Sequence, residues 1–142
     1  MIVDASLLLY AVDTTSPFHE RARTWLEAQL SGSRRVGLPW PSLLAFARIA
    51  SHPRALAAPL APAEAWALVD DWLAAEVAWV PAPGPGHAAV LGELVRRHDV
   101  RGNLVPDAHL AALALEHGTA VCSADSDFAR FTDVRWENPL AG

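Results

Sequence analysis

Short β-prone runs alternate with helical segments along the whole chain, and no other feature limits the fold as much. The runs are "MIVD", "RRVGLP", "EVAWV", "TAVCSA" and "DVRWE". Between them lie stretches with apolar residues near a period of 3.6, such as "APAEAWALVDDWLAA" and "PDAHLAALALEHG". Strands separated by helices pair in parallel, because a parallel neighbour is reached only through a crossover. The expected class is therefore α/β: a central, mainly parallel sheet of short strands, covered by helices on both faces. Ligands of such sheets bind beyond the carboxyl ends of the strands, so functional residues are sought there.

The local reading is as follows. Met1–Val3 is a strand, and Leu7–Val12 is one or two helical turns that Ser6 can cap. "TTSPFHERARTWLEAQLSG" is a helix with Ser16 at N-cap, Pro17 at N1 and Glu20 at capping-box spacing. Val36–Leu38 is a strand, and "PSLLAFARIASHP" is a helix that stops before Pro53. "HAAVLGELVRRHD" is a helix after the loop "PAPGPG", and "DSDFARF" is a turn with a short helix. No repeat or linker divides the 142 residues, so residues 1–142 are expected to form one domain.

Composition narrows the chemistry. All 11 basic residues are Arg, so Schiff-base and P-loop mechanisms, which need Lys, are excluded. A formal charge of −5 argues against a sequence-independent nucleic-acid coat, but not against a basic rim around an acidic pocket. Cys122 is the single cysteine, ruling out an intrachain disulfide. It falls in a core strand and should be an inert small hydrophobe. The apolar run Ala5–Val12 is too short to span a bilayer, lies between Asp4 and Asp13, and lacks a basic leader. A soluble, cytoplasmic protein without membrane association is expected.

Four carboxylates stand out. Asp4 ends the first strand, and Asp125 and Asp127 follow "TAVCS". Asp107 begins a helix right after Pro106 and heads a stripe with Leu110, Ala111, Ala114 and Leu115. Any one of these acids alone is an ordinary turn, cap or helix-start residue. Delivered together from separate segments, they repel one another, and a divalent cation offsets that repulsion. Oxygen ligands suit Mg²⁺ or Mn²⁺ rather than Zn²⁺. A carboxylate-held Mg²⁺ beside a water points to phosphoester hydrolysis.

The segments "MIVDASLLLYAVD", "GNLVPDAHLAALALEHG" and "VCSADSDFARF", in this order, resemble a PIN domain, and more narrowly a VapC-type toxin of a bacterial toxin–antitoxin pair. The resemblance runs to the "WENP" ending. It implies a PIN-like three-layer α/β/α sandwich and a Mg²⁺- or Mn²⁺-dependent endoribonuclease that leaves 5′-phosphate and 3′-hydroxyl ends. It also implies a homodimer neutralised by a cognate VapB-type antitoxin. Asp4, Asp107 and Asp125 match the family's first, third and fourth acids, and Asp127 an additional one. Ser6 and Ser123 match supporting hydroxyl residues. The family's E-x-x-R pattern falls on "AFAR", so Ala45 replaces its Glu and Arg48 stays in register.

Arg48 is thus a candidate RNA-phosphate ligand, or the partner of an acid. Asn103 is expected to shape the loop before the Asp107 helix or touch substrate. Six scattered histidines are expected in solvated or capping roles. Trp66, Trp72 and Trp79 are expected in core or dimer packing. A haloacid-dehalogenase-type phosphatase would want a second Asp at position 6, and a receiver domain would want a lysine. The remaining rival is a catalytically weak or inactive PIN fold that binds RNA or antitoxin, motivated by Ala45.

Overall fold

The computed structural model describes residues 1–142. Five strands of two residues each form one parallel sheet: β1 (Ile2–Val3), β2 (Val36–Gly37), β3 (Ala78–Trp79), β4 (Val121–Cys122) and β5 (Trp136–Glu137). Their order across the sheet is β3-β2-β1-β4-β5. Proline explains some of the brevity. Pro39, Pro81 and Pro139 each stand two residues past a strand and bring no N–H to extend the ladder. Gly37 is required on β2, because a Cβ there would lie 2.8 Å from the Met1 carbonyl oxygen and 3.0 Å from the Pro81 ring.

Strand side chains alternate between faces, and two cores follow. Val3 and Cys122 point to one side, where they join Leu7, Leu8, Leu26, Phe46 and Trp72. Those residues belong to α1 (Ala5–Tyr10), α2 (His19–Leu30), α3 (Trp40–Ala50) and α4 (Pro62–Leu73). Ile2 and Val121 point to the other side, against α5 (His87–Arg97) and α6 (Leu104–Glu116) through Leu94, Leu110 and Leu113. Phe128, from the 3₁₀ turn Ser126–Arg130, closes that layer. The expected three-layer α/β/α arrangement is met. No helix is long and apolar enough to cross a membrane.

Several local expectations are corrected. Helix α2 starts at His19. Ser16 instead accepts the Phe18 N–H at 3.1 Å, in the turn that precedes the helix. Helix α6 starts at Leu104, so Pro106 lies inside its first turn, where the amides lack intrahelical acceptors anyway. Its apolar stripe ends early, since Leu115 is exposed. Trp72 is buried, but Trp66 is 40% exposed and Trp79 only half-buried. Cys122 is buried as expected, and burial followed by the charge of Glu137 pushes its thiol up to about 12.

The histidines are less solvated than expected. His87 bonds the Glu116 carboxylate through Nδ1 and sits 2.9 Å from His109 Nδ1 through Nε2. Glu116 also accepts the Gly84 N–H at 3.0 Å, and His117 Nε2 donates to the Ala82 carbonyl at 3.0 Å. The proline-rich loop is thereby tied to the end of α6.

Burial alone would raise the Glu116 carboxyl. The hydrogen bond from His87, then the Gly84 amide and the neighbouring imidazoles, outweigh it and hold the group below its ordinary value. A depressed acid stabilises the fold above its unfolded value, and that stability is lost as pH falls through the folded one. Glu116→Ala should therefore cost about 1–3 kcal/mol in urea unfolding at pH 7. The difference from wild type should shrink below about pH 4. An equal loss at pH 7 and pH 3 would contradict this account.

Candidate functional site

The strand order reverses at β1, which lies between β2 and β4. In an open α/β sheet, that reversal opens a crevice at the carboxyl ends of the two strands. Asp4 follows β1 and Ser123 follows β4, so the chain places its polar residues where the crevice opens. The strand backbone holds Asp4 in place: its N–H donates to the Cys122 carbonyl at 2.9 Å.

The side chain of Asp4 is held as firmly. Ser6 and Ser123 both donate to its Oδ2, at 2.9 and 2.6 Å. Ser6 is the second residue of α1 rather than its cap. Ser6 Oγ also accepts the Ala124 N–H, and Ser123 Oγ accepts the Asp125 N–H at 2.9 Å. The two hydroxyls thus stitch the end of β1 to the loop after β4. Both bonds use Oδ2, which leaves Oδ1 of Asp4 without a protein donor.

Asp125 caps the 3₁₀ turn by accepting the Asp127 N–H at 2.9 Å through Oδ1. The turn brings both carboxylates toward α6, where Asp107 lies in the first turn. Oxygens of Asp107, Asp125 and Asp127 lie within 4.8 Å of one another. Asp4 is not one of these three, yet its charge reaches them. Asp107 is half-buried, and its carboxyl is raised to about 7, first by burial and then by the charges of Asp4, Asp125 and Asp127. Such a group of oxygen donors, free of sulfur and imidazole, fits a hard divalent cation.

The other sequence candidates stand apart. Arg48 is exposed on α3 and enters no ion pair, so it does not neutralise the carboxylates. Asn103 sits at the N-cap position of α6, is exposed, and makes no side-chain capping bond. Helix α3 packs against α1 and carries no acid anywhere along its length. Sequence reading missed Arg130, an exposed residue that ends the 3₁₀ turn bearing Asp127 and makes no ion pair. Its spacing from Asp127 in "DSDFAR" was the available signal.

Comparison with known proteins adds to the geometry. The model of the family described as PIN domain matches residues 1–134. Ribonuclease VapC37 of Mycobacterium tuberculosis is 48% identical over 140 residues, covering 99% of this chain and 97% of that protein. Ribonuclease VapC33 of the same species is 41% identical over 140 residues, with 99% and 98% covered. Among solved structures, VapBC2 from Rickettsia felis, bound to a DNA fragment from the promoter, superposes with a TM-score of 0.70 at 13% identity. That match covers 96% of each chain. VapBC-1 from nontypeable Haemophilus influenzae gives 0.68 at 14%, covering 99% and 98%. At these identities the solved structures speak to the fold.

Proposed function

The chain belongs to the PIN domain family, and from that premise we propose that it is a VapC-type toxin: a metal-dependent endoribonuclease that hydrolyses RNA phosphodiester bonds. The observation that carries the reading is the convergence of Asp107, Asp125 and Asp127 beside a rigidly held Asp4. A module that only bound RNA would gain nothing from concentrated negative charge facing phosphates. Naming of whole-length relatives as ribonucleases supports the same conclusion.

In this mechanism Asp107, Asp125 and Asp127 would hold Mg²⁺ or Mn²⁺ together with Asp4. When bound there, such a cation would supply Lewis-acid polarisation of the phosphodiester and a water acidic enough to attack at neutral pH. Ser6 and Ser123 fix the Asp4 carboxylate in one orientation, so it need not reorganise when substrate arrives. Asp125 is fixed in turn by its cap on the Asp127 amide. Arg130, exposed at the end of the 3₁₀ turn that bears Asp127, would meet an RNA phosphate. In-line attack by water leaves 5′-phosphate and 3′-hydroxyl ends.

Free of a cation, Asp107 keeps its proton up to about pH 7. Cation uptake must displace that proton, so apparent affinity for Mg²⁺ should rise with pH between about 5 and 7.5. Calorimetric titration across that range tests the point, and a flat profile would count against Asp107 as a ligand. The protein acts in the cytoplasm as a homodimer, and a cognate VapB-type antitoxin keeps it silent.

A second reading, a PIN fold that binds RNA or antitoxin without useful turnover, is favoured by one observation: α3 offers no carboxylate, with Ala45 at the family's Glu position. One experiment separates the two. The purified chain, freed of any co-expressed partner, is incubated with total cellular RNA in Mn²⁺, in Mg²⁺ and in EDTA, beside Asp107→Asn. Discrete, metal-dependent cleavage absent from the variant is the expected result. Absence of both cleavage and metal binding would transfer the assignment to the binding-only reading.

A further inference from the structure

Two tryptophans lie exposed on the surface of α3 and α4. Trp40 is 45% and Trp66 40% exposed, and their rings stack with planes 8° apart and centroids separated by 6.5 Å. Burying either indole in its own layer would stabilise the fold, yet the chain leaves both partly in water. Trp40 opens α3 just past the carboxyl end of β2, one strand over from Asp4. The pair therefore sits on the same rim of the sheet as the acids.

Trp40, Leu44 and Arg48 follow one another at four-residue spacing, so they share a face of α3. Leu44 is 56% exposed. Arg48 lines a shallow depression of about 250 Å³ together with His52 and Arg54. Most guanidinium groups of the chain are engaged: Arg23 by Glu20, Arg97 by Asp133, Arg35 over the Trp79 ring. Arg48 and Arg54 join no ion pair. Stacked indoles that continue into free guanidinium groups match what single-stranded nucleic acid presents, bases with flat faces on a chain of phosphates.

We propose that the Trp40–Trp66 pair is a base-stacking platform for single-stranded RNA, with Arg48 and Arg54 taking phosphates along the same strand. The proposal rests on the ribonuclease reading and adds where on this chain the bases of an unpaired RNA segment would stack. The patch does not suit a second copy of the chain as well. Its three exposed apolar side chains offer on the order of 300 Å², against about 800 Å² per partner in a stable protein interface.

The test uses the full chain in EDTA, so that RNA is bound without being cut, with a labelled single-stranded oligoribonucleotide of mixed sequence as the probe. Trp40→Ala and Trp66→Ala should each weaken binding about 5- to 150-fold, the range for loss of one base–aromatic stack. Trp40→Phe should keep most of the affinity. In a Mn²⁺ cleavage assay the Ala variants should raise KM and leave kcat near the wild-type value. Light scattering should show the same oligomeric state for all variants. Unchanged RNA affinity in both Ala variants overturns the platform while leaving the ribonuclease reading intact. A drop in oligomeric state parallel to the loss of affinity overturns it in favour of a second copy. If the wild-type chain neither binds nor cuts RNA, the ribonuclease reading itself falls, and the platform with it.

Discussion

Asp107→Asn should lower metal-dependent RNA cleavage by roughly 10²–10³-fold, the cost of removing one group that stabilises charge at a reacting centre, while leaving the fold at least as stable as before. The two halves have one physical cause. Asp107 is half-buried among three other carboxylates, and burial and repulsion together raise its carboxyl from 3.8 to about 7. A raised acid prefers its proton in the folded state. Its favourable share of stability is present in full below about pH 4 and is lost as pH rises through 7. At pH 8 and without a cation, the wild type therefore carries an ionised Asp107 that the fold disfavours. Asparagine keeps the shape and removes the charge. Thermal melts in EDTA at pH 8 should show a higher Tm for the variant, with the difference closing toward pH 4. Adding Mg²⁺ should reverse the order, because a cation that binds only the folded wild type stabilises it by about 2.7 kcal/mol at 100 times its Kd. A variant that melts below wild type in EDTA at pH 8 would show that Asp107 serves the fold rather than the chemistry.

That opposition between stability and function explains which residues were legible in the sequence. An acid after a β-prone run, or at the head of an otherwise apolar helix, breaks a local rule with no local gain, and such breaks mark sites. Asp4, Asp107, Asp125 and Asp127 were visible on that ground. The sheet was visible because each strand is bounded by a polar or proline residue and separated from the next by a helical period. What stayed hidden depends on contacts remote in sequence. Ser6 has the position of a helix cap, and only the return of β4 beside β1, more than a hundred residues later, supplies the Ala124 N–H it accepts and the Ser123 hydroxyl that shares Asp4 with it. His87, His109 and Glu116 look unrelated along the chain until α5 packs on α6. Trp66 follows a buried-helix rhythm in sequence, and its exposure was set by where α4 meets α3.

Asp4 should respond differently from Asp107, and two substitutions separate its roles. Asp4→Ala removes the acceptor for both Ser6 and Ser123. The Ser123 side chain is wholly buried, so its hydroxyl loses its short bond with no water to replace it. The expected cost is about 1–3 kcal/mol in denaturant unfolding, partly offset because one of the charges that repel Asp107 disappears. Asp4→Asn keeps an oxygen for the two hydroxyls and loses only the charge, so it should unfold near the wild-type midpoint. Both substitutions should reduce cleavage by at least about 100-fold, since in the proposed mechanism each removes a negative charge beside the Asp107, Asp125 and Asp127 carboxylates. Both should also move the Asp107 titration, followed by carboxyl NMR, down from about 7. The decisive comparison is between the two variants. If Asn cleaves RNA almost as well as Asp while Ala does not, Asp4 is a strut holding the loop after β4. If Asn folds like wild type and still fails to cleave, the charge itself is what the chain keeps at the end of its first strand.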